Sequence, residues 1–136
     1  MTDLELTIRA YFDDQGWPVQ RHETEPLFWF DYGTDAGNWT CFLRFREGLN
    51  RVLIHSVHPE QAPFERIGDV AEFLHRVNCR QVAGGFDIDM GTGDIRYRTS
   101  VDFGRALPTV DLLDPAIKAN LLAYARHKGD HPQPRL

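Results

Sequence analysis

Gly84-Gly85-Phe86-Asp87-Ile88-Asp89-Met90-Gly91-Thr92-Gly93-Asp94-Ile95-Arg96-Tyr97-Arg98-Thr99-Ser100-Val101-Asp102-Phe103 is the stretch on which the fold turns. With Thr92-Gly93 at the centre of a turn, Met90 faces Ile95, Ile88 faces Tyr97 and Phe86 faces Thr99. The same register sets Asp89 against Arg96 and Asp87 against Arg98. One side is then largely apolar and the other carries opposite charges in pairs, which is what two cross-strand partners require. The spacing predicts a β-hairpin whose inward side continues through Val101 and Phe103. No catalytic motif lies in it.

Upstream of the hairpin, Ile67, Val70, Ala71, Leu74 and Val77 recur at helical spacing, with Phe73 widening the stripe. Asn78 and Gly84-Gly85 end that helix. Three strands are predicted before it, at residues 27–32, 39–46 and 51–58. A turn at Glu47-Gly48-Leu49-Asn50 pairs Phe45 with Val52, Leu43 with Ile54 and Cys41 with Ser56. A six-residue connection over 33–38 adds Phe28 and Phe30 to the same apolar face. The opposite face carries Leu27, Trp29, Phe42, Leu53, His55 and Val57, with Arg44 and Arg46 among them. A solvated sheet face is plainly polar, and this one is not. Either a helix covers it or it binds something, and a second copy of the chain is one way to cover it.

The ends complete the order. Thr2 and Glu5 have capping-box spacing before Leu4, Ile8, Tyr11 and Phe12, and Gly16 with Trp17-Pro18 closes that helix. Residues 19–23 are expected to form a short strand. After residues 104–108, Thr109 or Asp111 caps a last helix with apolar positions Leu113, Ile117, Leu121, Leu122 and Tyr124, and Asp114-Pro115 is also consistent with its start. Residues 127–136 read as a polar tail. The expectation is one α+β domain over residues 1–126, an antiparallel sheet with three helices in the order α-β(3–4)-α-β-β-α.

A chain of 136 residues with 42% apolar and 26% charged residues can bury a core without metal or disulfide staples. The net charge of −5 argues against nucleic acid as a main partner. No apolar run approaches the ~20 residues that span a bilayer, and no basic-then-apolar leader is seen at the N-terminus. Cys41 and Cys79 are expected as reduced, mostly buried thiols, which suits a cytoplasmic protein.

Candidate sites weigh differently against their structural explanations. Asp87, Asp89, Gly91, Gly93 and Asp94 have part of a calcium loop's spacing but lack its distal glutamate, and strand alternation already accounts for Asp87 and Asp89. His75 and Cys79 stand at i, i+4 with no third ligand in view, so a surface histidine and a buried cysteine explain them. Cys41 looks like core filling, and no helix start follows Gly84-Gly85 to cradle a phosphate. No metal, cofactor or catalytic residue is assigned. Arg44, Arg46 and Arg51 gather around one hairpin. Solvated charge is the ordinary reading, and an acidic peptide or phosphate partner is the other. Trp29 and Phe42, with Leu53, Val57 and Arg44 beside them, are the residues expected to anchor a protein or peptide partner.

From Trp29 to Phe103, and more loosely to Tyr124, the chain resembles the YbjN family of bacterial domains. The residues that carry the resemblance are Val70-Ala71-Glu72-Phe73-Leu74, Asn78, Gly85-Phe86-Asp87-Ile88-Asp89 and Gly93-Asp94-Ile95-Arg96-Tyr97-Arg98-Thr99-Ser100. The resemblance implies the α+β fold of type III secretion chaperones, whose members dimerise and hold partly unfolded clients. It also implies the label of bacterial sensory transduction regulator. It brings no catalytic residues. The function expected is therefore a non-enzymatic, chaperone-like or regulatory binding module. The alternatives are an enzyme or small-ligand sensor with a site assembled from distant residues, and a structural role within a homo-oligomer.

Overall fold

The computed structural model describes residues 2–35 and 37–127. The elements are α1 (Asp3–Gln15), β1 (Gln20–Arg21), β2 (Leu27–Thr34), β3 (Gly37–Arg46), β4 (Arg51–Val57), α2 (Ile67–Asn78), β5 (Gly85–Ile88), β6 (Ile95–Asp102) and α3 (Val110–His127). The strands form one antiparallel sheet in the order β1-β2-β3-β4-β6-β5. This is the α+β class expected from the sequence. The tail expected over 127–136 lies outside the described residues, apart from His127 at the end of α3.

The β2–β3–β4 registers are those read from the turns. Phe28 pairs with Leu43 and Phe30 with Cys41, while Cys41 pairs with Ser56, Leu43 with Ile54 and Phe45 with Val52. The β2–β3 connection is tighter than expected, since the strands continue to Thr34 and Gly37 before the chain turns. Asn50 takes the left-handed conformation, with φ 52°, where the chain enters β4. Phe28, Phe30, Cys41, Leu43, Phe45, Val52 and Ile54 are all buried on one face.

The β5–β6 hairpin differs from the expected register by two residues. Phe86 pairs with Tyr97, Asp87 with Arg96 and Ile88 with Ile95. Asp89 is the cause. Its carboxylate accepts from the backbone N–H of Gly91 at 2.8 Å and of Thr92 at 3.1 Å, which builds a wider turn and removes Asp89 and Met90 from the ladder. Met90 is 61% exposed. A slip of two residues keeps each side chain on its face, so the apolar and charged sides survive the error.

All three helices pack on the buried face. Thr2 caps α1 by accepting from Glu5 N–H, and Gly16 closes it at φ 70°. The capping box is only half built, because the Glu5 carboxylate turns to Arg9 and Arg21 at 3.3 Å each. Burial alone would raise the Glu5 pKa, but these two guanidiniums outweigh it and hold the carboxyl below its ordinary value. Trp17 stacks on Phe30 at 5.7 Å and Phe12 meets Phe30 edge-on at 5.0 Å, which clips the end of α1 to β2. Such ring pairs add about 0.5–1.5 kcal/mol each beyond burial.

On α2, Ile67, Val70, Leu74 and Val77 are buried. Asn78 then acts as a short extra strand. Its Nδ2 donates to Phe86 O at 2.9 Å, and its Oδ1 accepts from Phe86 N–H at 2.6 Å. Thr109 caps α3 by accepting from Leu112 N–H at 3.3 Å. The helix thus starts ahead of Asp114-Pro115, and Pro115 falls inside it. Leu122, expected inward, is 62% exposed, and Asn120 takes an inward place instead. Cys41 is buried as expected, but Cys79 is exposed, because it follows the last turn of α2 on the solvent side.

Candidate functional site

Side chains alternate across a strand, so the residues that interleave the core must form a second face. Three cross-strand rows of that face hold the residues at issue. One row runs Trp29, Phe42, His55, Arg98. The next runs Leu27, Arg44, Leu53, Ser100. The third runs Asp31, Thr40, Val57, Arg96, Asp87. All five residues singled out in the sequence, Trp29, Phe42, Leu53, Val57 and Arg44, therefore share one surface. Trp29 stands directly opposite Phe42, and Arg44 directly opposite Leu53.

No helix among the described residues covers this face. The bonds and ring contacts of α3 run to Ser56, Tyr97, Thr99 and Trp39, those of α1 to Phe30, and those of α2 to Phe86, all from the buried side. Trp29, Phe42, Leu53 and Val57 are each half-buried, shielded by their neighbours on the sheet rather than by a roof. The His22 ring leans on Trp29 edge-on at 6.4 Å. The covering helix that the sequence left open is not found among the described residues.

His55 sits between Phe42 and Arg98. Burial lowers its pKa below the ordinary histidine value, nearby Arg96 adds to that, Asp87 opposes it, and Arg98 and Arg44 lower it further. Its imidazole therefore takes up a proton less readily than a free histidine does. His58, three residues on, points the other way and is bonded through Nδ1 to the Tyr124 hydroxyl at 2.8 Å. The two histidines cannot share a ligand on one face.

The residues weighed for other chemistry lie elsewhere. Cys41 has its thiol pushed up to about 12 by burial, against a smaller lowering by its bond with Ser56, and so is held protonated in the core. His75 and Cys79 are both exposed at the end of α2. Asp89 spends its carboxylate on the turn.

The sequence reading missed Asn120, Ser56 and Trp39 as a buried polar chain. Trp39 Nε1 donates to Ser56 Oγ at 2.9 Å, and Ser56 Oγ donates to Asn120 Oδ1 at 2.6 Å. A signal existed, since Asn120 lies at helical spacing between Ile117 and Tyr124. Arg96 and Arg98 were read only as hairpin charges. Their place beside His55 depends on β4 pairing with β6, a contact across the whole of α2.

A sequence model of the YbjN family, described as "Putative bacterial sensory transduction regulator", matches residues 7–126. The chain belongs to the YbjN family. Among solved structures it is similar to the crystal structure of YbjN from E. coli, at 11% identity and TM-score 0.70, with 90% of this chain and 86% of that one covered. It is also similar to a chain of the HopA1–SchA chaperone–effector complex, at 14% identity and TM-score 0.55, with 91% of each chain covered. Among curated proteins no relative matches the sequence. At these identities the YbjN and chaperone–effector structures speak to the fold. They bear out the type III secretion chaperone-like architecture.

Proposed function

We propose that this YbjN domain is a non-enzymatic, cytoplasmic binding module that docks a segment of a protein partner on the open face of its sheet, in a chaperone-like or regulatory role. The observation that carries the reading is the half-buried apolar patch of Trp29, Phe42, Leu53 and Val57 on neighbouring strands, left without a helix among the described residues on a sheet whose other face holds all three. Apolar area kept at the surface in this way marks an interaction site. Tryptophan and arginine are the side chains that most often dominate an interface, and Trp29 and Arg44 stand in adjacent rows. The similar chain in the HopA1–SchA complex belongs to a chaperone–effector assembly, and the shared architecture is compatible with such work here.

The test is co-purification from the native host with Trp29→Ser/Phe42→Ser against the parent chain. The variant is expected to stay folded by circular dichroism and to lose the bound partner. Retention of the same partner at the same level would contradict the assignment. A second copy of the chain is the alternative occupant, and light scattering on the parent and the variant separates it from a different protein.

A further inference from the structure

The charges of the open face are unevenly matched. Acidic residues outnumber basic ones in the chain, 20 to 15. Yet outward positions of β3, β4 and β6 hold Arg44, Arg46, Arg51, Arg96 and Arg98. Arg46 and Arg51 are cross-strand partners, so two like charges stand face to face. Asp102 answers Arg51 at 2.8 Å. Arg44 has Glu25 at 3.5 Å. Asp87 stands opposite Arg96 in the ladder and reaches Arg98 at 3.7 Å, and Asp89, its carboxylate bonded to the turn, adds only charge at a distance to Arg96. Arg96 Nε is shielded from water and has no hydrogen-bond partner among the described residues. Screening by solvent explains the tips of exposed arginines, but not a buried donor left unused.

Resting on the docking reading above, we propose that the segment received by this face is acidic as well as apolar: an extended peptide whose large side chain lies on Trp29 and Phe42 and whose carboxylates meet Arg98 and Arg96. The geometry sets the spacing. Trp29, Phe42, His55 and Arg98 are in register on four neighbouring strands. Strands lie about 4.8 Å apart, so the row spans roughly 14 Å. An extended chain advances about 3.3 Å per residue, which places the acid some four residues from the ring. A carboxylate there forms the charge-assisted bonds that guanidinium favours, first with Arg98, whose side chain is 54% exposed. The His55 pKa is lowered chiefly by burial, and after it by the charge of Arg96.

Three labelled peptides test this on the full chain by fluorescence anisotropy: Phe-Ser-Leu-Ser-Glu-Glu and its Gln-Gln and Lys-Lys counterparts. The Glu-Glu peptide is expected to bind at least about tenfold tighter than the Gln-Gln one, with that advantage lost at 1 M salt, where the screening length falls to about 3 Å. Arg96→Gln/Arg98→Gln should remove the advantage of Glu-Glu over Gln-Gln. Should that variant not fold, the salt series and the Lys-Lys peptide decide on the parent chain. Equal binding of Glu-Glu and Gln-Gln, both weakened by Trp29→Ser/Phe42→Ser, overturns the acidic assignment and leaves the docking reading standing. Tighter binding of Lys-Lys, or of a single-stranded oligothymidylate, overturns the acidic-peptide assignment too. No binding by any peptide overturns both.

Discussion

Asn120 donates from its side-chain amide to the backbone carbonyl of Ile54 at 2.9 Å, which fastens α3 to the middle of β4. The same nitrogen reaches Tyr97 O at 3.0 Å and Thr99 Oγ1 at 3.2 Å, so one buried amide ties the helix to two strands. This amide fastens α3 to the buried side of the sheet.

Replacing Asn120 with leucine keeps the branched shape, adds some volume and removes those donors. Ser56 Oγ would lose its acceptor inside the core. A buried polar group left without its partner costs about 1–3 kcal/mol. Urea unfolding should show a loss of that order, and an unchanged midpoint would contradict the role given to Asn120.

Two glycines should respond in opposite directions to alanine. At Gly93, φ is 82° and an added Cβ would lie 2.3 Å from the carbonyl oxygen of Ala62, so Gly93→Ala should cost roughly 1–3 kcal/mol. At Gly68, within α2, nothing lies within 4 Å of the added Cβ, and Gly68→Ala should stabilise by about 0.5–1 kcal/mol. Thermal melts of the two variants check both signs.

His55 gives the fold an acid-side weakness. Its pKa is lower in the folded chain than in the unfolded one, chiefly through burial and then through Arg96. Below the unfolded value of about 6.5 the unfolded chain takes up the proton first, so stability falls as pH drops through that point and is recovered above it. His55→Gln should flatten the dependence of unfolding free energy on pH between that value and the onset of carboxylate protonation. A slope unaltered by the substitution would remove His55 as its source.

The cysteines should react at very different rates. Cys79 is exposed, whereas Cys41 is buried with its thiol held protonated. A thiol reagent at neutral pH should label Cys79 in the native protein and reach Cys41 only on unfolding, as mass spectrometry of the peptides will show. Rapid native labelling of Cys41 would mean that the sheet opens.

Much of this architecture was legible in the sequence because short turns set register by length. The β2–β3–β4 pairing followed from counting residues between apolar positions, and so did the composition of both faces. The β5–β6 register was misread because Asp89 binds the turn backbone instead of facing Arg96, and no alternation pattern distinguishes those two uses of an aspartate. Leu122 was misplaced because a helical stripe five residues wide can close around an asparagine as well as a leucine. The gathering of Trp29, Phe42, Leu53, Val57 and Arg44 was readable, as all lie on strands joined by short connections. The approach of Arg96 and Arg98 was not, since β4 and β6 are separated by a helix and a strand.

Photo-crosslinking in the native host is the most direct measurement of whether the open face docks another protein. A benzoylphenylalanine placed at Phe42 should form adducts with a second polypeptide, and one placed at Leu112, 54% exposed on the helical side, should not. Adducts from position 112 with none from position 42 would contradict the account.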